Sequence, residues 1–108
     1  QRVVIGRSFA LYPDLLLMDE PYGQMDIKVR YYLEDEVLKL WRETGSTVLF
    51  ITHNIEEAIY LSQKCLIMTS KPTKIKTIVD NPLPYPRDVS SEEFIKLREE
   101  VTDMIKWW

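Results

Sequence analysis

Two short apolar segments, each followed at once by acidic or polar side chains, constrain this sequence most strongly. The first, Leu15–Met18, ends at Asp19-Glu20-Pro21, and the second, Ser46–Ile51, ends at Thr52-His53-Asn54. A short apolar run bounded by turn residues is typical of a strand that is buried on both faces of a sheet. We therefore expect two buried strands whose carboxyl ends present an acidic pair and a histidine.

Helical patterns alternate with these segments. One spans Arg2–Leu11, a longer one spans Ile27–Thr44 between the N-cap residue Asp26 and Gly45, and a short one covers about Ile55–Gln63. The long helix has an apolar stripe made of Val29, Leu33, Val37, Leu40 and Trp41. This alternation is typical of an α/β fold with a parallel sheet, in which ligands bind beyond the carboxyl ends of the strands.

The last third of the chain follows a different pattern. Two apolar runs, Lys64–Thr69 and Lys74–Val79, flank a turn and predict a β-hairpin. The segment Asn81–Pro86 has three prolines, which exclude regular structure there. Ser90 or Ser91 then caps a closing amphipathic helix. Its apolar stripe consists of Phe94, Leu97, Val101, Met104, Ile105 and Trp108.

Charge and cysteine content exclude several classes of protein. The formal net charge is −3, which is unlike the basic balance of a nucleic-acid-binding domain. The sequence contains no apolar stretch close to the ~20 residues that a membrane-spanning helix needs. The single cysteine, Cys65, lies in an apolar run, cannot form an internal disulfide, and fits a reducing cytosol.

The side chains at the two strand ends suit phosphoryl transfer. An aspartate held at a strand exit, Asp19, can anchor a hydrated Mg²⁺. The adjacent Glu20 can polarise a water molecule for in-line attack on a γ-phosphate. A neutral His53 can hydrogen-bond both to that water molecule and to the γ-phosphate. Each signal alone is compatible with a plain turn or a surface histidine. The order of these residues and their separation along the chain together favour a catalytic role over a purely structural one.

Four segments together resemble the ATP-binding proteins of ABC transporters. Leu15–Pro21 is similar to the Walker B motif with its catalytic glutamate, and Gly23–Asp26 is similar to the D-loop. Thr52–Ala58 resembles the switch-histidine loop. Gln1–Ala10 resembles the helix that directly follows the family's signature sequence.

The resemblance implies a role for particular residues. Asp19 would bind Mg²⁺ through water, Glu20 would be the general base, and His53 would contact the γ-phosphate of ATP. Asp26 and Gln24, in the D-loop, would lie at the interface with a second ATPase subunit. The implied cofactors are ATP and Mg²⁺.

The sequence departs from the family pattern in two places. In the D-loop, Gln24-Met25 replaces a small residue followed by leucine, which bears on dimer packing and communication between sites. Asn54 stands where aspartate is commoner.

The tail, Asn81–Asp88 with Ser91–Phe94 and Leu97-Arg98, is similar to that of bacterial importers of nitrate, sulfonate, taurine and bicarbonate.

The resemblance also implies a fold class: α/β, the C-terminal part of a P-loop NTPase (RecA-like) parallel sheet flanked by helices. Residues 1–80 would be a partial ATPase core, and residues 81–108 a proline-rich arm and the closing helix. The sequence has three glycines and no glycine-rich loop with Lys and Ser/Thr. We therefore expect ATP hydrolysis from a longer parent protein and an inactive chain in isolation.

The implied partners are a second ATPase subunit in a head-to-tail dimer and transmembrane permease subunits, without nucleic acid. The implied location is cytoplasmic, peripheral on the inner face of the bacterial plasma membrane. In this family another strand lies between those matching Ser46–Ile51 and Lys64–Thr69. Since this chain does not contain that strand, we expect it to close the gap or, preferentially, to associate with a second copy.

Two other functions remain open. An ABC-type DNA-repair or chromosome ATPase shares these motifs, although the short spacing between Glu20 and His53, the absence of a coiled-coil pattern and the acidic charge argue against it. A non-catalytic regulatory or assembly module is the other alternative. The intact Glu20 and His53 argue against it, because such a module need not keep them.

Overall fold

The computed structural model describes residues 6–7, 13–22, 25–70 and 72–106. The chain divides into two compact units, Gln1–His53 and Asn54–Trp108. Gly6 and Arg7 are helical, and the rest of the helix predicted over Arg2–Leu11 lies outside the described residues. The proposed functional division at residue 80 stays a prediction.

In the first unit, two strands flank one long helix. Strand β1 (Leu15–Asp19) pairs in parallel with β2 (Thr47–Ile51), and helix α1 (Ile27–Thr44) connects them. The register joins Leu15 to Thr47 and Asp19 to Ile51. Both predicted strands are therefore present and lie side by side.

Helix α1 has the predicted caps. The Asp26 carboxylate accepts a hydrogen bond from the Lys28 backbone N–H at 2.9 Å. Gly45 adopts a φ of 71° and donates its N–H to the Trp41 carbonyl at 2.9 Å. A positive φ favours glycine, which explains why the helix ends at this residue.

One face of the β1–β2 sheet packs against α1. Its core consists of Met18, Tyr22, Leu33 and Val37, with Leu16, Met25, Leu40, Trp41, Val48 and Phe50 packed around them. The prediction that Val29 belongs to this buried stripe is wrong, because its side chain is 49% exposed. The helix, about 27 Å long, is longer than the strands of about 17 Å, so the sheet is too short to cover its whole length.

The opposite face of the β1–β2 sheet is bare. It carries four exposed aliphatic side chains, which we call the first bare face: Leu15, Leu17, Leu49 and Ile51. The expectation that both strands are buried on both faces is therefore wrong. Among the described residues only one helical layer covers this sheet, so burial alternates along each strand.

The second unit contains the predicted hairpin and the closing helix. Helix α2 (Ile55–Leu61) precedes strands β3 (Lys64–Met68) and β4 (Ile75–Asp80), which pair antiparallel. Helix α3 (Glu92–Lys106) packs on one face of the hairpin. Its predicted apolar stripe is confirmed for the buried Phe94, Leu97 and Val101, which cluster with Ile59 and Ile67. Ile105 is 41% exposed, and Trp108 lies outside the described residues.

The hairpin repeats the one-sided burial of the first sheet. Cys65 and Ile67 are buried, as predicted for the cysteine, while the other face carries exposed aliphatic side chains. This second bare face consists of Leu66, Met68, Ile75 and Ile78. At its end Lys64 Nζ lies 3.2 Å from an Asp80 carboxylate oxygen.

Ser91, rather than Ser90, caps α3. The Ser91 hydroxyl oxygen accepts the Phe94 backbone N–H at 3.2 Å. Ser90 donates its hydroxyl and its N–H to the Asp88 carboxylate at 2.6 and 2.9 Å. These bonds, the hydroxyl's above all, hold the pKa of Asp88 below its ordinary value.

The described strands form two separate two-stranded sheets, with β1 beside β2 and β3 beside β4. The protein is thus a small α/β arrangement, and a continuous P-loop-type parallel sheet stays a prediction. In the part of the chain that the structure describes, no helix has the length and apolar character needed to cross a bilayer.

Candidate active site

The carboxyl ends of β1 and β2 meet at one edge of the first unit. Asp19, the last residue of β1, pairs with Ile51, the last residue of β2. One residue further on, the Glu20 backbone N–H donates to the Ile51 carbonyl at 2.8 Å. Because the strands are parallel, the residues that follow both strands emerge on the same side.

This arrangement brings Glu20 and His53 into direct contact. His53 Nε2 lies 3.0 Å from Glu20 Oε1. The His53 side chain is 93% exposed and the Glu20 side chain 42% exposed. An exposed pair of this kind stabilises a fold by only about 0–1 kcal/mol. The contact therefore has little value as a structural brace and leaves both groups accessible to a ligand.

Glu20 has a backbone conformation that the sequence analysis did not predict. Its φ is 44°, and it is the one non-glycine residue with a positive φ among the residues described. The left-handed region costs an ordinary L-residue roughly 1–2 kcal/mol, so Gly or Asn is the usual occupant. Strain of this kind collects at functional sites, where the side chain matters more than the backbone cost.

Asp19 offers an exposed carboxylate at the same strand end. By the alternation of β1 it lies on the sheet face opposite α1, with Leu15 and Leu17. No cluster of three or more His, Cys, Asp or Glu side chains that could hold a metal occurs among the described residues. A single carboxylate supplies too few ligands for a zinc or calcium site. It suits Mg²⁺, which keeps several bound water molecules and is also coordinated by phosphate oxygens.

The D-loop residues are only partly described. Gly23 and Gln24 lie outside the described residues. Asp26 is exposed and serves as the N-cap of α1, a role that already explains an aspartate there. Its predicted role at a dimer interface, like that of Gln24, stays a prediction.

Asn54 has a structural role that the sequence analysis missed. Its side-chain oxygen accepts the Glu57 backbone N–H at 3.1 Å and so caps α2. The signal was present: Asn followed three residues later by Glu is a capping pattern. Since an amide oxygen caps a helix as well as a carboxylate does, the departure from the family's commoner aspartate keeps this function.

Comparison with known proteins identifies relatives across nearly the whole chain. No family model matches it. It is 42% identical over 107 residues to the aliphatic sulfonates import ATP-binding protein SsuB of Bacillus cereus strain ZK / E33L, covering 99% of this chain and 43% of that protein. It is 45% identical over 101 residues to SsuB of Bacillus cereus strain ATCC 10987 / NRS 248, covering 94% and 40%.

An archaeal relative extends this similarity. An ABC transporter ATP-binding protein of Methanocaldococcus jannaschii is 42% identical over 106 residues, covering 98% of this chain and 40% of that protein. The chain thus spans about two fifths of the length of these relatives. Identity at this level extends over 94–99% of the chain. The chain belongs to the family of ABC transporter ATP-binding proteins.

Proposed function

We propose that this chain supplies the hydrolysis residues of an ABC importer ATPase. The observation that carries the proposal is the 3.0 Å contact between Glu20 and His53 at the carboxyl edge of two parallel strands. A carboxylate and an imidazole held side by side in solvent can accept a proton from water and hydrogen-bond to a phosphate.

Glu20 is the general base in this proposal. Its carboxylate takes the proton of a water molecule positioned for in-line attack on the γ-phosphate of ATP. The left-handed backbone at Glu20 turns the chain directly after β1, while the bond from its N–H to Ile51 fixes that turn to the neighbouring strand. The base is therefore held by both strands.

His53 positions Glu20 and contacts the phosphate. Nε2 meets one carboxylate oxygen of Glu20, which leaves the other oxygen available to water. The high exposure of the imidazole allows a nucleotide to reach it from solvent. Since phosphoryl transfer depends mainly on positioning and charge stabilisation, a small shift of His53 would lower the rate.

Asp19 is the residue that would hold Mg²⁺, through a water molecule. When bound, the ion would neutralise charge on the phosphate oxygens. The remaining phosphate contacts come from outside these 108 residues, because the sequence has no glycine-rich loop with Lys and Ser/Thr. The chain alone accordingly binds ATP weakly and does not turn it over, whereas a longer protein that contains it does.

The proposed assembly is an importer. The ATPase works as a head-to-tail dimer, with Asp26 and Gln24 at the subunit interface, on the cytoplasmic face of a membrane that holds its permease partners. Two of the relatives are named for aliphatic sulfonate import. A solute of the nitrate, sulfonate or taurine kind is therefore the substrate class we propose for transport.

The test uses a longer protein that carries this chain. Glu20→Gln should bind Mg-ATP with unchanged affinity and hydrolyse it on the order of 10²–10⁴ times more slowly, since the amide keeps the shape and loses the base. Phosphate release measures the rate, and Glu43→Gln, an exposed carboxylate on α1, is the matched control. Wild-type hydrolysis by Glu20→Gln would remove Glu20 from the mechanism.

Two further measurements separate the alternatives. An ATPase of the DNA-repair class would bind DNA in a salt-dependent way and be stimulated by it. A non-catalytic module would show no ATPase activity in the wild-type longer protein. The importer proposal expects hydrolysis that DNA leaves unchanged.

A further inference from the structure

A buried aromatic side chain follows the turn at Glu20. Tyr22 is 3% exposed and belongs to the core between the first sheet and α1. Its ring centroid lies 5.8 Å from that of Phe50 on β2, with the two planes tilted by 44°. Aromatic rings attract one another at this separation, and each ring buries a large apolar area. Tyr22 therefore fastens the chain just after β1 to the core and to the neighbouring strand.

The backbone of Tyr22 is held as well as its ring. Its carbonyl oxygen accepts the Met25 backbone N–H at 3.3 Å, and the Met25 side chain packs against the same core. Asp26, the next residue, caps α1. The segment that leaves the Glu20 turn is thus tied down before the helix begins.

Few rotatable bonds separate Tyr22 from Glu20. The one residue between them is Pro21, whose ring fixes its φ at about −65°. A displacement of the Tyr22 ring is consequently passed on to the backbone of Glu20, because little of it can be absorbed in between.

The backbone of Glu20 needs restraint on both sides. A non-glycine residue keeps a φ of 44° only where its surroundings impose that conformation. On one side, the Glu20 N–H donates to the Ile51 carbonyl at 2.8 Å. That bond does not restrain the torsions that follow the Glu20 Cα atom. On this second side, the first buried side chain is that of Tyr22.

We propose that Tyr22 is a positioning residue for Glu20. The buried ring and the bond to Ile51 hold the turn from its two sides, and together they impose the left-handed conformation from which the Glu20 carboxylate meets His53 at 3.0 Å. All four residues belong to the first unit. The inference rests on the proposed function of Glu20 as general base and extends it to a side chain in the core.

The first test uses the 108-residue chain and does not depend on ATP hydrolysis. Two backbone hydrogen bonds join the ends of the strand pair. The Glu20 N–H donates to Ile51 at the carboxyl end, and the Thr47 N–H donates to Asp14 at the amino end, at 3.0 Å. Tyr22→Ala should accelerate amide hydrogen exchange at Glu20 at least on the order of tenfold more than at Thr47, because it releases the carboxyl end locally.

Three other variants calibrate this ratio. Val37→Ala is the control: Val37 is buried in the same core on α1, and its truncation should accelerate exchange at both amides by similar factors. Tyr22→Phe keeps the ring and should restore the wild-type ratio. Tyr22→Leu keeps apolar bulk without an aromatic ring and should give an intermediate ratio. It also keeps the proposal testable if Tyr22→Ala fails to fold.

The second test measures hydrolysis in the longer protein. Tyr22→Ala should lower kcat on the order of tenfold with KM for ATP within about twofold, as expected when a catalytic group is misplaced. Val37→Ala should leave kcat within about twofold at a temperature at which both variants are folded. In a protein that already carries Glu20→Gln, Tyr22→Ala should lower kcat no further, because no base remains to be positioned.

Two results would overturn the proposal. One is equal acceleration of exchange at Glu20 and Thr47 in Tyr22→Ala, and the other is a further tenfold loss of kcat when Tyr22→Ala is added to Glu20→Gln. If Glu20→Gln hydrolysed ATP like wild type, the proposed function would fail instead. The exchange ratio would then still decide whether Tyr22 holds the turn.

Discussion

Glu20 illustrates a conflict between stability and activity within one residue. Its φ of 44° is a conformation that glycine adopts without strain, yet glycine carries no carboxylate. Relief of roughly 1–2 kcal/mol of backbone strain would be offset by the entropy of glycine in the unfolded chain, about 0.5–1 kcal/mol, and by the lost surface pair with His53. Glutamate at this position thus does not make the fold more stable than glycine would.

Glu20→Gly should therefore leave the free energy of unfolding of the chain within a few tenths of a kcal/mol of wild type, or raise it slightly. The control is Lys39→Gly, at an exposed interior position of α1, which should lower it by about 1 kcal/mol. Urea denaturation followed by circular dichroism measures both. If Glu20→Gly costs as much as Lys39→Gly, the positive φ is not a source of strain.

Asp26 has one observed role and one proposed role, and substitutions can separate the two. As the N-cap of α1 it accepts the Lys28 N–H, a function that any short polar side chain can perform. As a D-loop residue it would communicate with a second subunit, a function that depends on its charge.

The two roles predict different results for two substitutions. Asp26→Ala should destabilise the chain by about 1 kcal/mol, whereas Asp26→Asn should keep its stability within a few tenths, because Asn caps helices equally well. Thermal unfolding measures this difference. In the longer protein, Asp26→Asn should still impair hydrolysis if the charge serves the dimer. Normal hydrolysis by Asp26→Asn would restrict Asp26 to its capping role.

The elements that the sequence predicted well are those with local signals. The caps of α1 at Asp26 and Gly45 follow from residue types whose backbone preferences act within a few residues. The Glu20–His53 contact was also predictable, because parallel strands bring their carboxyl ends together. Local chemistry and strand direction were sufficient for this part of the site.

What the sequence did not predict depends on distant contacts. Burial on both faces of β1 and β2 was expected from their composition, but burial depends on whether a second layer is present. The exposure of Val29 likewise could not be read from the helical spacing alone, because burial depends on what packs against each turn of α1. Arg87 reaches carbonyls 25–28 residues away, and no short sequence pattern reports such a bond.

For the molecule as a whole, the main physical feature is the two bare faces. The first comprises Leu15, Leu17, Leu49 and Ile51, which are 43–63% exposed, and the second comprises four further aliphatic side chains on the hairpin. Parallel sheets occur almost only with both faces covered, so the β1–β2 pair is unusual in having one bare face. Strands β2 and β3 also lie in separate sheets, so each has an edge without a neighbouring strand in the described part of the chain.

In a solution of this chain alone, a second copy offers apolar surface of the same kind. We therefore expect self-association, with the mass average from sedimentation equilibrium or light scattering rising with concentration. The double substitution Leu17→Lys and Leu66→Lys, one residue on each bare face, should shift the population toward monomer while leaving the helical signal unchanged, since neither side chain is in a core. Ile27→Lys is the matched control: Ile27 is an equally exposed aliphatic residue at the start of α1, outside both faces, and its substitution should leave self-association as it was. A wild-type chain that stays monomeric at high concentration would show that the bare faces tolerate water and that the argument from sheet coverage does not hold for this protein.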